Sequence, residues 1–470
     1  MKKRPYKLPK PLLCDVGKEI DVSLINEYIC KHEERLPRYE YLENLYEGFH
    51  DIFNVPEKEA WKPDNRLAVN FPKYVTDVFL GYAYGVPIKR SHPDKKIDEA
   101  IAEFDRNNSM TDHDFEMVKN VCKYGHAFEY FYQDEETKTR VADNTPKEMF
   151  VVYENTLRKA ALFAVRYGYK DDGITKYGEV ITKETVREFE GDEFKEERPN
   201  PYGKINVVEW IMNKERMSLY EEISGMTEMF NKTIGEKAND VESFAEAYLA
   251  IIGAEVDEDG IARIRDNRII NMCGTDEAKD VLVQFLQKPS ADGTQENLLD
   301  RSERLIHKIS MIPDINTESF GNSSGVAIEY KLKSMSDLAK NLDRLVVKSM
   351  KKRYKLFCTL ATNVSNKDAW KDIEFKTTRN LPKNVLEEAQ TAAQLEGIVS
   401  EETQLGVLSI IEDVSEEIKK KEKEQKKQEQ KHESQLGQMM FGKTEQVAEE
   451  GLNNEQSTVL AEQGSGTAKA

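Results

Sequence analysis

The sequence predicts an α+β fold, and four stretches carry that prediction. Residues 125–210 are rich in aromatic and β-branched residues (YGHAFEYFYQDEETKTRV, EMFVVYE, ALFAVRYGY, YGEVIT) separated by polar turns such as Asp171-Asp172-Gly173. That pattern is an antiparallel, hairpin-rich sheet. From residue 219 to 252, apolar residues fall at Leu219, Ile223, Met226, Phe230, Ile234, Val241, Phe244, Tyr248 and Ile251 with no proline between them. A spacing of about 3.5 reads as one helix of about 50 Å. Further helices are predicted over 294–311, with Leu298, Leu299, Leu305, Ile306 and Ile309 turned inward, and from Ser334 through Leu356.

The other elements follow in order. Leu24, Ile25 and Tyr28 recur at helical spacing, as do Tyr41, Leu42, Leu45 and Tyr46 after Pro37. Asn70 caps a third helix with Pro72 in its first turn, ended by Gly85 and Pro87. Ser109 and Asp112 fit a capping box for a helix to residue 123, and Ser334 with Asp337 another. Between the helices at 219–252 and 294–311 lies a compact insert with strand-like IARI, RII and VLVQFL. EFKTT is a strand. A final helical region begins at Pro382 and breaks near Gly397–Ser400. Its second helix carries Leu405, Leu408, Ile411, Val414 and Ile418. The Glu/Lys-rich 415–433 extends a solvated helix, and the residues beyond Ser434 are expected to be disordered.

The chain has 470 residues and a net charge of −18. That length predicts more than one core, and that charge makes a poor overall partner for phosphate backbones. The basic start has no apolar run after it, which predicts no secretory signal, and no run approaches the ~20 apolar residues of a membrane span. The five cysteines are dispersed without a CxxC pair, which predicts reduced thiols.

Motif by motif, chemistry is not expected. Gly437 to Thr444 fits a phosphate-binding loop with Lys443 and Thr444, but KKQEQKHESQL before it cannot be the buried strand that such a loop needs. Asp112-His113-Asp114 faces several directions on a helix, and its acids read as first-turn residues. Asp257-Glu258-Asp259-Gly260 lacks the later ligands of a calcium loop. No two histidines share a helix turn. The reading is therefore of a non-enzyme with no catalytic residue, no metal ligand and no cofactor. The basic KSMKKRYKLF is read as a solvated helix face. Two rivals are a phosphate-loop NTPase using Lys443 and Thr444, and a monomeric or dimeric coiled-coil adaptor.

Four segments in this order, NRLAVNFPKYVTDVFLGYAYGVPIK, YGHAFEYFYQDE with EMFVVYE, EKANDVESFAEAYLAIIGA, and INTESFGNSSGVAIEYKLKSM, carry a resemblance. Over about residues 20–420 the chain resembles the portal (head–tail connector) proteins of tailed bacteriophages, of the type found in siphophages of Gram-positive bacteria. The resemblance implies a ring, dodecameric in capsids, at one vertex of the virion after assembly in the host cytoplasm. It implies an N-terminal arm (1–20), an α/β wing (21–218), a stem helix (219–253), a clip (254–290) and a second stem helix (291–313). A tunnel loop and link (314–333), a long wing helix with return strand (334–382), helical crown (383–433) and tail (434–470) complete it. Double-stranded DNA would pass through the channel. Terminase, head-completion, major capsid and scaffolding proteins would be the partners.

Within that frame, Asp314, Asn316, Glu318, Ser319, Phe320, Gly321, Asn322, Ser323 and Ser324 would face DNA. Phe230, Ile234, Val241, Phe244 and Tyr248 would make stem contacts between subunits. The loop offers two acids and no Lys or Arg, so it is expected to repel DNA or touch it weakly.

Overall fold

The computed structural model describes residues 7–59, 62–245, 248–252, 282–286, 292–315, 325–380, 385–408, 410–411, 414 and 417–427. The chain divides into two units, Met1–Asn380 and Leu381–Ala470.

The first unit is built around the predicted sheet. Its β-strands are β1 (Leu12–Cys14), β2 (Lys89–Ser91), β3 (His126–Gln133), β4 (Thr139–Asn144), β5 (Met149–Glu154), β6 (Ala161–Tyr169), β7 (Lys176–Ile181), β8 (Thr185–Glu190), β9 (Glu193–Pro199) and β10 (Val207–Ile211). One sheet runs β1-β5-β6-β7-β8-β9 and another β10-β3-β4. All pairs are antiparallel except β1 with β5, so the LLC of the expected N-terminal arm belongs to the sheet.

Strand alternation decides which side chain goes where. Phe150, Val152, Phe163, Val165 and Tyr167 point to one face, where Leu24, Ile25, Tyr28 and Ile29 of α1 (Val22–Glu33) cover them. Met149, Val151 and Ala164 point to the other, against Phe128, Tyr130 and Val207 of the smaller sheet. Helices α2 (Leu36–Glu47), α3 (Phe71–Tyr84), α4 (Lys95–Asn107) and α5 (Met110–Tyr124) pack beside these layers. Asn70 Oδ1 accepts the Lys73 N–H at 3.0 Å, as the Asn-x-Pro start of α3 predicts.

Four local expectations are corrected. Ser109 sits in the left-handed region (φ 46°) and makes no side-chain cap, so α5 has no capping box. The helix expected over 219–252 is α6, Ser224–Ala245, 22 residues or about 33 Å long. Tyr248–Ile252 is instead strand β11, paired antiparallel with β12 (Leu282–Leu286). Tyr, Leu and Ile favour a pleated pairing once a partner strand is available, and YLAII finds one in VLVQFL. After α7 (Asp292–Ser310), helix α8 runs over Gly325–Phe357. It begins nine residues before Ser334, whose hydroxyl donates to the Met311 carbonyl at 3.1 Å rather than capping. Asp337 pairs instead with Lys333, one turn away at 2.7 Å.

Strand β13 (Glu374–Lys376) pairs with β2. The insert's IARI and RII and the residues beyond Ser434 lie outside the described residues. In the second unit, α9 (Val385–Gln394) and α10 (Glu401–Gly406) are separated by Gly397 at φ 75°, and Ser400 caps α10. The helix expected through Leu405 to Ile418 stops at Gly406, and helical residues return at Val414 and over 417–427.

Candidate interaction site

Helix α6 is narrow and polar, and the chain supplies much of its cover. Glu228 accepts from His50 and from the Asp51 N–H at 2.9 and 3.1 Å. Lys58 reaches Glu236 at 3.2 Å. The chain then returns along the same helix, where Asn239 accepts the Asn65 N–H at 2.6 Å and Asn231 the Val69 N–H at 2.8 Å. Gly235 lies between those two asparagines. A Cβ there would stand 2.9 Å from the Asn65 carbonyl oxygen, so the close approach requires glycine. Asn231, Gly235 and Asn239 recur every four residues and form one face that holds this strap.

Phe230 is buried and meets Phe71 edge-to-face at 5.1 Å, so its ring serves the chain's own core. Ile234 is half-buried, and Val241 is 64 % exposed. Phe244 lies in the last turn of α6 and Tyr248 opens β11, so these two do not share a helix face.

Helix α7 packs along α6, with Gln295 donating to Asp240 at 3.0 Å and Lys237 paired with Glu296. Its buried residues are Leu299, Ser302, Ile306 and Ser310. Leu298, Leu305 and Ile309, expected inward, are instead exposed at 39, 36 and 40 %. At about 100° per residue they form a second apolar stripe beside the buried seam. Arg301, Arg304 and Lys308 are exposed on the side away from the seam.

After α7 the chain turns at Met311 (φ 63°), and Ile312 is buried. Asp314 is half-buried beside α7. Burial, with the Asp314 charge nearby, raises the Tyr74 hydroxyl above its ordinary range. Asn316, Glu318, Ser319, Phe320, Gly321, Asn322, Ser323 and Ser324 lie outside the described residues, as do Lys443 and Thr444.

Sequence reading missed a buried charge network behind α8. Arg353, expected on a solvated face, is sealed from solvent and bonds Glu129 at 2.7 Å and Asp114 at 2.5 Å. Its guanidinium also lies 4.9 Å from the Trp210 ring centroid. Asp114 holds Arg90 as well, and Arg90 reaches Asp105 at 3.0 Å. His113 bonds Glu129 at 2.8 Å. Asp114 and His113 thus have structural partners, and of the two acids only Asp112 lies in the first turn of α5.

Burial alone would push the Glu129 carboxyl up, but the Arg353 charge and His113 bring it down to about 2. A second cluster joins Glu209 to Arg216 at 2.6 Å and to His126 at 3.0 Å. Burial drives His126 down to about 4 against the opposing effect of Glu209. No local pattern in the sequence announces either network, because the partners meet only in the fold.

The described fold thus sets a two-helix shaft with an exposed apolar stripe beside mixed sheets to which buried ion pairs fasten the long helix α8. The family model described as phage portal protein, SPP1 Gp6-like, matches residues 25–431, and the chain belongs to that family. The chain is 23 % identical over 457 residues to the portal protein of Bacillus phage SPP1, covering 87 % of this chain and 88 % of that one. It is 20 % identical over 407 residues to the portal protein of Clostridium phage phiCD119, covering 78 and 86 %. A solved structure of the neck of an empty GTA particle computed with C6 symmetry aligns with a TM-score of 0.44 and 11 % identity, covering 72 and 90 %. The resemblance to portal proteins of phages of Gram-positive bacteria is borne out, as is the α+β class.

Proposed function

We propose that the chain forms a dodecameric ring at the capsid vertex, the conduit for DNA packaging and ejection and the dock for terminase and head-completion proteins. The family match over 25–431 is the observation that carries this reading. In it, α6 and α7 form the stem, 254–290 the clip, 314–325 the tunnel loop and α8 the wing helix. Leu298, Leu305 and Ile309 supply a stripe for a second copy of the chain, since a ring needs a seam besides the one inside each subunit.

The reading assigns no catalysis to the chain; a separate ATPase drives translocation. In this reading Glu129 and Glu209 act as buried ion-pair partners of Arg353 and Arg216, held also by His113 and His126. The coiled-coil adaptor loses ground, because α6 is 22 residues long and the chain's own strap lies along it.

A conduit must hold DNA loosely, because every firm phosphate contact adds to counterion release and anchors it. The loop's Glu318, with no Lys or Arg beside it, suits that need. Exchanging Glu318→Lys is expected to impair DNA passage in packaging assays while rings assemble normally. Normal packaging by that variant would sink the loop assignment. Truncation near residue 434 is expected to leave assembly and packaging intact, whereas an NTPase using Lys443 would lose all turnover.

A further inference from the structure

Glu303, His307 and Asp314 each bring one possible ligand atom to within 4.8 Å of the others, and all three are half-buried. Glu303 and His307 are four residues apart on α7, so their side chains share a face. Asp314 comes from the chain that leaves the helix, turned back by Met311 at φ 63° and anchored by buried Ile312.

His307 is held in a particular state. Its Nδ1 lies 3.0 Å from the Ile312 carbonyl oxygen. A carbonyl only accepts, so Nδ1 donates to it and Nε2 is the ring nitrogen left to take a metal ion. That is how metal-binding imidazoles are commonly set, with the second nitrogen fixed by a backbone carbonyl. The ring is further positioned by edge-on contacts with Phe71 and Tyr74, at 6.2 and 5.9 Å between centroids. The sequence reading passed over this site because it sought paired histidines, whereas the pair on the helix is a glutamate and a histidine.

We propose that Glu303, His307 and Asp314 bind one divalent transition-metal ion per chain, Zn²⁺ by preference. Two carboxylates and one imidazole make a mixed oxygen and nitrogen donor set, which suits Zn²⁺ better than the all-oxygen shell of Ca²⁺ or Mg²⁺. Three protein ligands leave a fourth position for water. Zinc bonds of about 2.1 Å require ligand atoms about 3.4 Å apart in a tetrahedron, which falls inside the 4.8 Å that bounds their spacing here. The ion would tie Asp314, where the 314–325 segment begins, to the last two turns of α7. Metal uptake stands or falls independently of the DNA-conduit reading.

The test is calorimetric titration of the full-length protein with Zn²⁺, repeated with Co²⁺ while recording its visible absorption. One equivalent per chain is expected. The nearly isosteric Glu303→Gln and Asp314→Asn should each weaken uptake at least tenfold and reduce the Co²⁺ bands. Asp337→Asn, which alters an exposed carboxylate on α8, should leave both unchanged. Circular dichroism confirms that each variant is folded before titration. Absence of stoichiometric Zn²⁺ uptake by the unaltered protein, or equal uptake by folded Glu303→Gln and Asp314→Asn, would overturn the proposal.

Discussion

Arg353 Nε donates to Glu129 Oε1 at 2.7 Å across 224 residues of sequence, with both side chains sealed from solvent. The bond fastens the long helix α8 to strand β3 of the smaller sheet. A buried ion pair of this kind adds little over a well-packed apolar pair, but breaking it leaves an uncompensated charge. Arg353→Met is therefore expected to destabilise the fold by about 3–5 kcal/mol, read as a lower urea midpoint. Arg353→Lys should lose part of that, since an ammonium lacks the planar fork that bridges Glu129 and Asp114. An unchanged midpoint for Arg353→Met would contradict the fastening role.

Acid should weaken the protein in two overlapping windows. His32 is buried between the Tyr167 hydroxyl and the Pro146 carbonyl, and burial drives it down to about 3. Unfolded, it binds a proton near its ordinary value, about 6.5, so the unfolded state holds more protons below that pH. Its contribution is complete above about 6.5 and is lost as pH falls towards 3. Glu129, held at about 2, contributes fully above the ordinary glutamate value and loses its contribution as pH falls from there through 2. Urea midpoints measured from pH 7 to pH 4 should fall steadily, and His32→Gln should flatten the slope. An identical slope in that variant would remove His32 from the account.

The strap along α6 rests on side-chain acceptors for backbone donors. Asn231→Ala removes the acceptor of the Val69 N–H, a loss of roughly 1–3 kcal/mol if the group stays dry. Hydrogen exchange should rise around residues 65–69 while β3 and β5 keep their protection. Exchange rising equally through the sheet would mean that Asn231 supports the whole unit instead.

Gly125 ends α5 at φ 88°, and a Cβ there would stand 2.1 Å from the Arg216 carbonyl oxygen. Gly125→Ala should cost roughly 1–3 kcal/mol from the backbone conformation, and the clash adds to it. A thermal midpoint equal to that of the unaltered protein would contradict this geometry.

Much of the fold was legible because its determinants are local. Asn70 and Pro72 declare the start of α3, and alternation in MFVVYE and ALFAVRYGY declares two strands and their faces. Tyr248 and Ile251 deceived because they also satisfy helical spacing, and only the distant partner Leu282–Leu286 makes YLAII a strand. On α7, periodicity marks Leu298, Leu299, Leu305, Ile306 and Ile309 as apolar without saying which stripe serves the chain's own core. Ser334 and Asp337 fit a capping box, yet nothing in GVAIEYKLK stops the helix from starting earlier. Arg353 looked solvated because its partners, Asp114 and Glu129, are far away in sequence. The Glu303–His307–Asp314 cluster needed the turn at Met311 to bring its third member back.

The ring proposed for this chain closes along the outer stripe of α7. It is tested most directly by electron microscopy with mass photometry of the unaltered protein beside Leu305→Glu. The unaltered chain should give rings with a central hole, a mass of about twelve or thirteen subunits and Leu298, Leu305 and Ile309 at the subunit boundary. Leu305→Glu should give single subunits with unchanged circular dichroism. Rings that form as readily with glutamate at position 305, or that leave this stripe facing solvent, would contradict the claim.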